Sequence, residues 1–134
     1  GYLNCMIYAH ESGCDWSDEA CSLAAESGHL DCLKYLHENG CEWIEDGCTA
    51  AAATGQLECL KYMHENGCEW NGDCCTFAAL NGHLDCLKYL HEHDCGWYEE
   101  TCTSAAENRH FGKSILFTKT HNYIATPRLP QIRT

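Results

Sequence analysis

The residues with the most chemistry to offer are 13 cysteines and nine histidines in a chain of 134. Together they could hold zinc, close disulfides or build a Cys/His nucleophile pair, and each of these needs its own spacing. Structural zinc sites bring two close ligand pairs to one tetrahedron, whereas the intervals here, Cys32-x4-His37, His37-x3-Cys41 and Cys41-x6-Cys48, make no evident tetrahedral set, so no metal ligands are expected. The denser His91-x-His93-x-Cys95 lacks supporting ligands and reads as an adventitious chelate rather than a built site. A catalytic thiol must be singular and activated, but these cysteines and histidines recur along the chain, which marks packing. There is no glycine-rich phosphate loop, serine elbow or unique carboxylate pair. Accordingly no enzyme activity, catalytic residue, cofactor or small-molecule substrate is expected.

The recurrence itself defines the organisation. Trp16, Trp43, Trp70 and Trp97 follow one another at a constant 27-residue step. Cysteine keeps that step in three columns: Cys5, Cys32, Cys59 and Cys86; Cys14, Cys41, Cys68 and Cys95; and Cys21, Cys48, Cys75 and Cys102. Cys74 completes the set. Tyr8, Tyr35, Tyr62 and Tyr89 share the register, as do His10, His37, His64 and His91. Complete units run over 28–54, 55–81 and 82–108, and 1–27 fit a divergent fourth.

Each unit reads as two helices. Residues 29–39 place Leu30, Cys32, Leu33 and Leu36 at mixed three- and four-residue spacings with Asp31, Lys34 and Glu38 opposite, an amphipathic pattern closed by Gly40. A histidine in the last turn suits the negative end of the helix dipole. A shorter helix is expected over 45–54, opened by acids and filled by Cys48, Ala51 and Ala52, whose small side chains permit close packing. Helices of about ten residues cannot bury an apolar face in isolated pairs, whereas stacked pairs bury a continuous one. About seven helices are predicted.

Residues 28–40 (GHLDCLKYLHENG), preceded by Ala24 and Ala25, resemble the ankyrin repeat, whose Ala-Ala-x-x-Gly-His leads into a helix ending Glu-Asn-Gly. The resemblance covers 1–108 and implies an all-α ankyrin-like helical-repeat solenoid of stacked antiparallel helix pairs. Two departures argue against a long β-turn finger and a full-length first helix. The 27-residue unit is shorter than the roughly 33 residues of the ankyrin repeat, and the threonine-proline-leucine-histidine signature is absent. The chain is most similar to the short, cysteine-rich ankyrin variants of large DNA viruses and protists. That likeness implies a non-catalytic protein-protein interaction scaffold. The alternatives are a structural segment of a longer array with no partner of its own, or a cysteine-rich metal-binding or redox module.

The periodic cysteines then read as core filling, since a free cysteine behaves as a small hydrophobe. Neighbouring helices lie roughly 8–10 Å apart while a disulfide needs Cα atoms within about 7 Å, so members of one column should not bridge. Unbridged cysteines imply a reducing, intracellular compartment, cytoplasmic by preference. The tryptophans read as inter-repeat packing rather than a base-stacking platform, because Glu42, Glu45, Asp46 and Glu69 surround them with the wrong charge.

Positions that vary between units are free for recognition. After each tryptophan these are Ser17, Ile44, Asn71 and Tyr98, and within the shorter helix Leu23, Ala50, Phe77 and Ser104. Ile44, Phe77 and Tyr98 are the expected anchors, and the resemblance places all eight on the recognition face. Residues 1–108 carry all 20 acids and only Lys34, Lys61 and Lys88, a charge of −17 that would steer a protein with a basic surface and repel nucleic acid and anionic membranes. The longest all-apolar run is the five residues 5–9, and the four alanines 50–53 are shorter still, too short for a membrane span. From Arg109 the pattern fails: 109–134 hold five basic residues, no acid, no cysteine and both prolines, and are expected to form a degenerate repeat, an unordered tail or a non-native read-through. The chain opens on Gly1 without a basic-then-apolar leader and reads as a fragment.

Overall fold

A computed structural model describes residues 2–96 and 98–107. Its helices in chain order are α1 (Tyr2–Glu11), α2 (Ala20–Ser27), α3 (Leu30–Glu38), α4 (Gly47–Thr54), α5 (Leu57–Glu65), α6 (Gly72–Leu80), α7 (Leu84–Glu92) and α8 (Glu100–Glu107). The described residues thus hold eight helices rather than seven and no strand, so the loops carry no β finger. The expected tail at 109–134 lies outside the described residues.

Helices of two kinds alternate and pack in two layers. The short helices α2, α4, α6 and α8, of eight residues except for nine in α6, stack on one another, the longer nine-residue α3, α5 and α7 back onto them, and the latter meet along their own row. The longer helices are amphipathic as the spacing predicts: Cys32, Leu33 and Leu36 are buried on α3, Cys59, Leu60 and Met63 on α5, and Cys86 and Leu90 on α7. The short helices run differently. Cys48, Ala51, Ala52 and Ala53 are all buried on α4, because a helix clad in small side chains can approach neighbours on several sides. On α4 the acids lie outside the first turn, since the helix starts at Gly47 with Glu45 and Asp46 in the preceding loop, whereas α6 carries Asp73 and α8 Glu100 within it.

Glycine closes α2, α4 and α6 where the chain reverses. Gly55 adopts φ +79°, and the next amide, of Gln56, donates to Ala51 O at 2.9 Å, so a left-handed residue satisfies a terminal carbonyl. The longer helices close in the same manner at Gly40 (φ +96°) and Gly67 (φ +92°), but the third copy has Asp94 at φ +63°. A side chain is strained in that region, and only partly so for aspartate. Asp94→Gly is therefore expected to raise stability by about 0.5–1 kcal/mol, read as a higher urea midpoint at unchanged slope.

Direct bonds tie successive short helices. Thr49 on α4 meets the Cys74 thiol on α6 at 3.3 Å, and Thr76 on α6 meets Thr101 on α8 at 3.1 Å. Asn81 Nδ2 donates to Ala53 O at 3.0 Å. The corresponding Ser22 hydroxyl on α2 is buried with no partner among the described residues, because it faces Gly47, which offers no side chain.

Candidate functional site

The segments joining each longer helix to the next short one carry the Cys-x-Trp sequence, and their geometry follows from three rings that recur. His37, in the last turn of α3, stacks on Trp43 at 4.3 Å and 12°, and both stand edge-on to Tyr62 of the next unit at 5.9 and 6.3 Å. His64 repeats this on Trp70 at 3.9 Å and 5° with Tyr89 beside them, and His10 on Trp16 with Tyr35. The histidine occupies the helix end that the spacing predicts; that its ring carries the tryptophan was not evident from the sequence. The Trp43 indole N–H donates to Asn66 O at 2.9 Å, and Trp70 stands against Tyr89, so both tryptophans pack between repeats as expected. Lys34 and Lys61 lie 5.7 and 5.8 Å from the Tyr62 and Tyr89 centroids. Trp97 lies outside the described residues.

Burial lowers the pKa of His64, the nearby His93 lowers it further, and Glu65 opposes them. A base whose folded pKa lies below its ordinary 6.5 binds fewer protons folded than unfolded, so its contribution to stability is lost as pH falls through 6.5. The denaturation midpoint of the native chain should drop more between pH 7.5 and 5.5 than that of a His64→Gln variant.

Successive loops, 40–45 and 66–71, enclose a groove of about 760 Å³. Trp43 and Trp70 supply its aromatic surface, Ile44 an aliphatic one, Glu42, Glu45 and Glu69 its charge, and Thr49 on α4 and Asn71 also line it. No described lysine or arginine lines it. The site is an acidic, aromatic cleft between loops held by stacked rings.

Of the eight positions expected to recognise a partner, the groove brings together Ile44 and Asn71. Asn71 also caps α6, its side chain accepting from Asp73 N at 2.8 Å. Ser17 is exposed in its loop, Leu23 is 55% exposed on α2 and Ala50 is half-buried on α4; none lines the groove. Tyr98 is 43% exposed and its ring lies over Gly72, where a Cβ would come within 2.6 Å. Ser104 falls within α8, with its side chain outside the described residues. Phe77 is corrected: at 4% exposure it belongs to the packing of α6, which has short helices on both sides, whereas α2 packs on α4 alone among the short helices described. The groove acids carried a sequence signal, their recurrence beside each tryptophan, but were read only as evidence against nucleic acid.

Ten of the cysteines are buried, and Cys5, Cys14 and Cys102 are exposed. Burial pushes the Cys59 thiol up to about 11 and that of Cys86 up to about 12, consistent with inert core side chains. His93, the oddity of its unit, stands where Asn39 and Asn66 donate to the carbonyls of Tyr35 and Tyr62; its Nδ1 meets Tyr89 O at 2.9 Å, so that nitrogen bears the proton. Cys95 turns inward, its thiol donating to Asn71 O at 3.2 Å. Among the described residues no three His, Cys, Asp or Glu side chains are placed to hold a metal ion. No described helix is long and apolar enough to cross a membrane.

Helix pairs stacked in register, with loops projecting from one edge, define a helical-repeat solenoid. Residues 21–64 and 48–91 match the family model of ankyrin repeats (many copies), together more than half of the chain. The chain belongs to the ankyrin-repeat family. A comparison with curated proteins finds no match.

Proposed function

We propose that the chain is a non-catalytic protein-binding module that takes a basic segment of its partner into the groove between loops 40–45 and 66–71. The carrying observation is the lining of that groove: two tryptophans and three glutamates with no compensating cation among the described residues. A lysine or arginine side chain placed there meets carboxylates at its head and aromatic faces along its stem, a combination that favours cations over anions and apolar side chains. The −17 charge of residues 1–108 supports the same preference by steering a basic surface towards the array. Ile44 and Asn71 are the variable contacts of the groove, and Ser17, Leu23, Ala50, Tyr98 and Ser104 extend the surface for a partner that reaches beyond it.

The free, buried cysteines support work in a reducing, intracellular compartment. The 27-residue unit and its three cysteine columns support a place among the short, cysteine-rich variants of the family. One observation favours a second reading as a segment of a longer array: Cys5 on α1 is exposed where Cys32, Cys59 and Cys86 of the later units are buried, so α1 offers a face that a further short helix would fit.

The test uses intrinsic tryptophan fluorescence. A lysine- and arginine-rich peptide should shift the emission saturably at low salt and progressively less as salt rises, while a glutamate-rich peptide of equal length leaves it unchanged. Equal responses to both peptides, or none, refute the reading.

A further inference from the structure

The fold pairs cysteines of different columns. Helices α2, α4 and α6 each carry near their start a cysteine that meets another from the loop beyond the next longer helix: Cys21 with Cys41, Cys48 with Cys68, and Cys75 with Cys95. In each pair the two thiols are near enough to act on each other's ionisation. Cys21 Sγ also donates to the carbonyl of Cys41 at 3.8 Å. All six side chains are at most 5% exposed, and none is in a disulfide.

The pairing arises from the repeat. The loop leaves a longer helix at its left-handed residue, and the amide of the loop cysteine donates back to that helix: Cys41 N to Leu36 O, Cys68 N to Met63 O and Cys95 N to Leu90 O, at 2.9, 2.9 and 3.0 Å. Backbone anchoring fixes where the loop thiol points, and the thiol it meets lies on the short helix of its own helix pair. Cys32, Cys59 and Cys86 sit on the longer helices and have no such thiol partner among the described contacts.

With no third ligand placed for a metal among the described residues, the chemistry open to two adjacent thiols is closure to a disulfide. We propose that the pairs Cys21/Cys41, Cys48/Cys68 and Cys75/Cys95 are oxidation sites at which hydrogen peroxide closes intrachain disulfides between the short helices and the loops. Within Cys48/Cys68 the hydrogen bond from Cys48 lowers the pKa of Cys68, so this pair has one thiol that ionises first and one that keeps its proton. At Cys48/Cys68, Cys68 releases its proton to solvent and the thiolate attacks one peroxide oxygen. The O–O bond breaks, Cys68 becomes a sulfenic acid, and the departing hydroxide takes a proton to leave as water. The Cys48 sulfur then attacks the sulfenic sulfur, the S–O bond breaks, and the hydroxide released takes the Cys48 proton. Two thiols are oxidised, and one peroxide is reduced to two waters. The closure pins the loop that contributes Cys68 and the groove floor beside it, although the proposal stands whatever the groove binds.

The experiment uses the full reduced chain in native buffer with a modest excess of hydrogen peroxide. Remaining thiols are then alkylated in denaturant, and the digest is read by mass spectrometry without reductant. The expected result is three linked peptides joining those pairs, a fall in free thiols from 13 to seven, and Cys32, Cys59 and Cys86 still free. In a Cys48→Ala variant, Cys68 should instead accumulate as a sulfenic acid trapped by dimedone, roughly tenfold above the wild-type level. If that variant fails to fold, the wild-type map alone decides. Linkages within a column, oxidation confined to Cys5, Cys14 and Cys102, or oxidation of the six without linkage each overturns the proposal.

Discussion

Replacing Leu60 by alanine is expected to lower stability by about 3 kcal/mol, within the range of about 2–5 kcal/mol for an aliphatic side chain removed from a close-packed interior. Leu60 is fully buried on α5, beside Cys59 and Met63, in the middle of the long-helix row, so the cavity opens against neighbours in both directions. For an array of this size the melting temperature should fall by roughly 10–20 °C. Leu84, 60% exposed at the start of α7, is the control, and its replacement by alanine should change stability by less than about 0.5 kcal/mol. Because a solenoid is held by nearest-neighbour contacts, a central cavity should also broaden the transition as the two ends uncouple. A loss below about 1 kcal/mol at Leu60 would mean that the stacked interior does not hold the fold.

The second large effect concerns the groove. Changing Glu42, Glu45 and Glu69 together to glutamine should weaken binding of a lysine- and arginine-rich peptide about tenfold at low salt, since three partly solvated charges contribute about 0.2–1 kcal/mol each. Most of that loss should appear in the association rate, which long-range charge governs. The triple variant should also lose most of the salt dependence. Glu92→Gln, an exposed acid outside the groove lining, should leave affinity nearly unchanged. If both variants weaken binding equally, net charge rather than the groove does the recognising.

Much of the fold was legible because periodicity is a direct consequence of stacking. Leu33 and Leu36 occupy one side of α3, and their counterparts Leu60 and Met63 on α5, and Leu87 and Leu90 on α7, turn to the same interior. The helix end at Gly40 was legible for a local reason, the left-handed conformation. Register does not, however, encode how many neighbours a unit has. Leu23, Ala50 and Phe77 share one register position yet pass from exposed to half-buried to buried, as the number of flanking short helices and the size of the side chain change. The groove was only half legible. Ile44 and Asn71 showed themselves by varying, but the cleft exists because His37 and His64 hold their tryptophans flat, and no spacing rule distinguishes a stacked histidine from one that merely suits a helix end.

The bonds from Thr49 to Cys74 and from Thr76 to Thr101 join α4 to α6 and α6 to α8 and reach no farther. Excision of 55–81 would bring Thr54 against Gly82, a junction equivalent to that of Thr54 with Gly55. A gene encoding such a chain can therefore gain or lose one unit by unequal recombination without creating a new seam, so its length is free to drift while each surviving module keeps its shape.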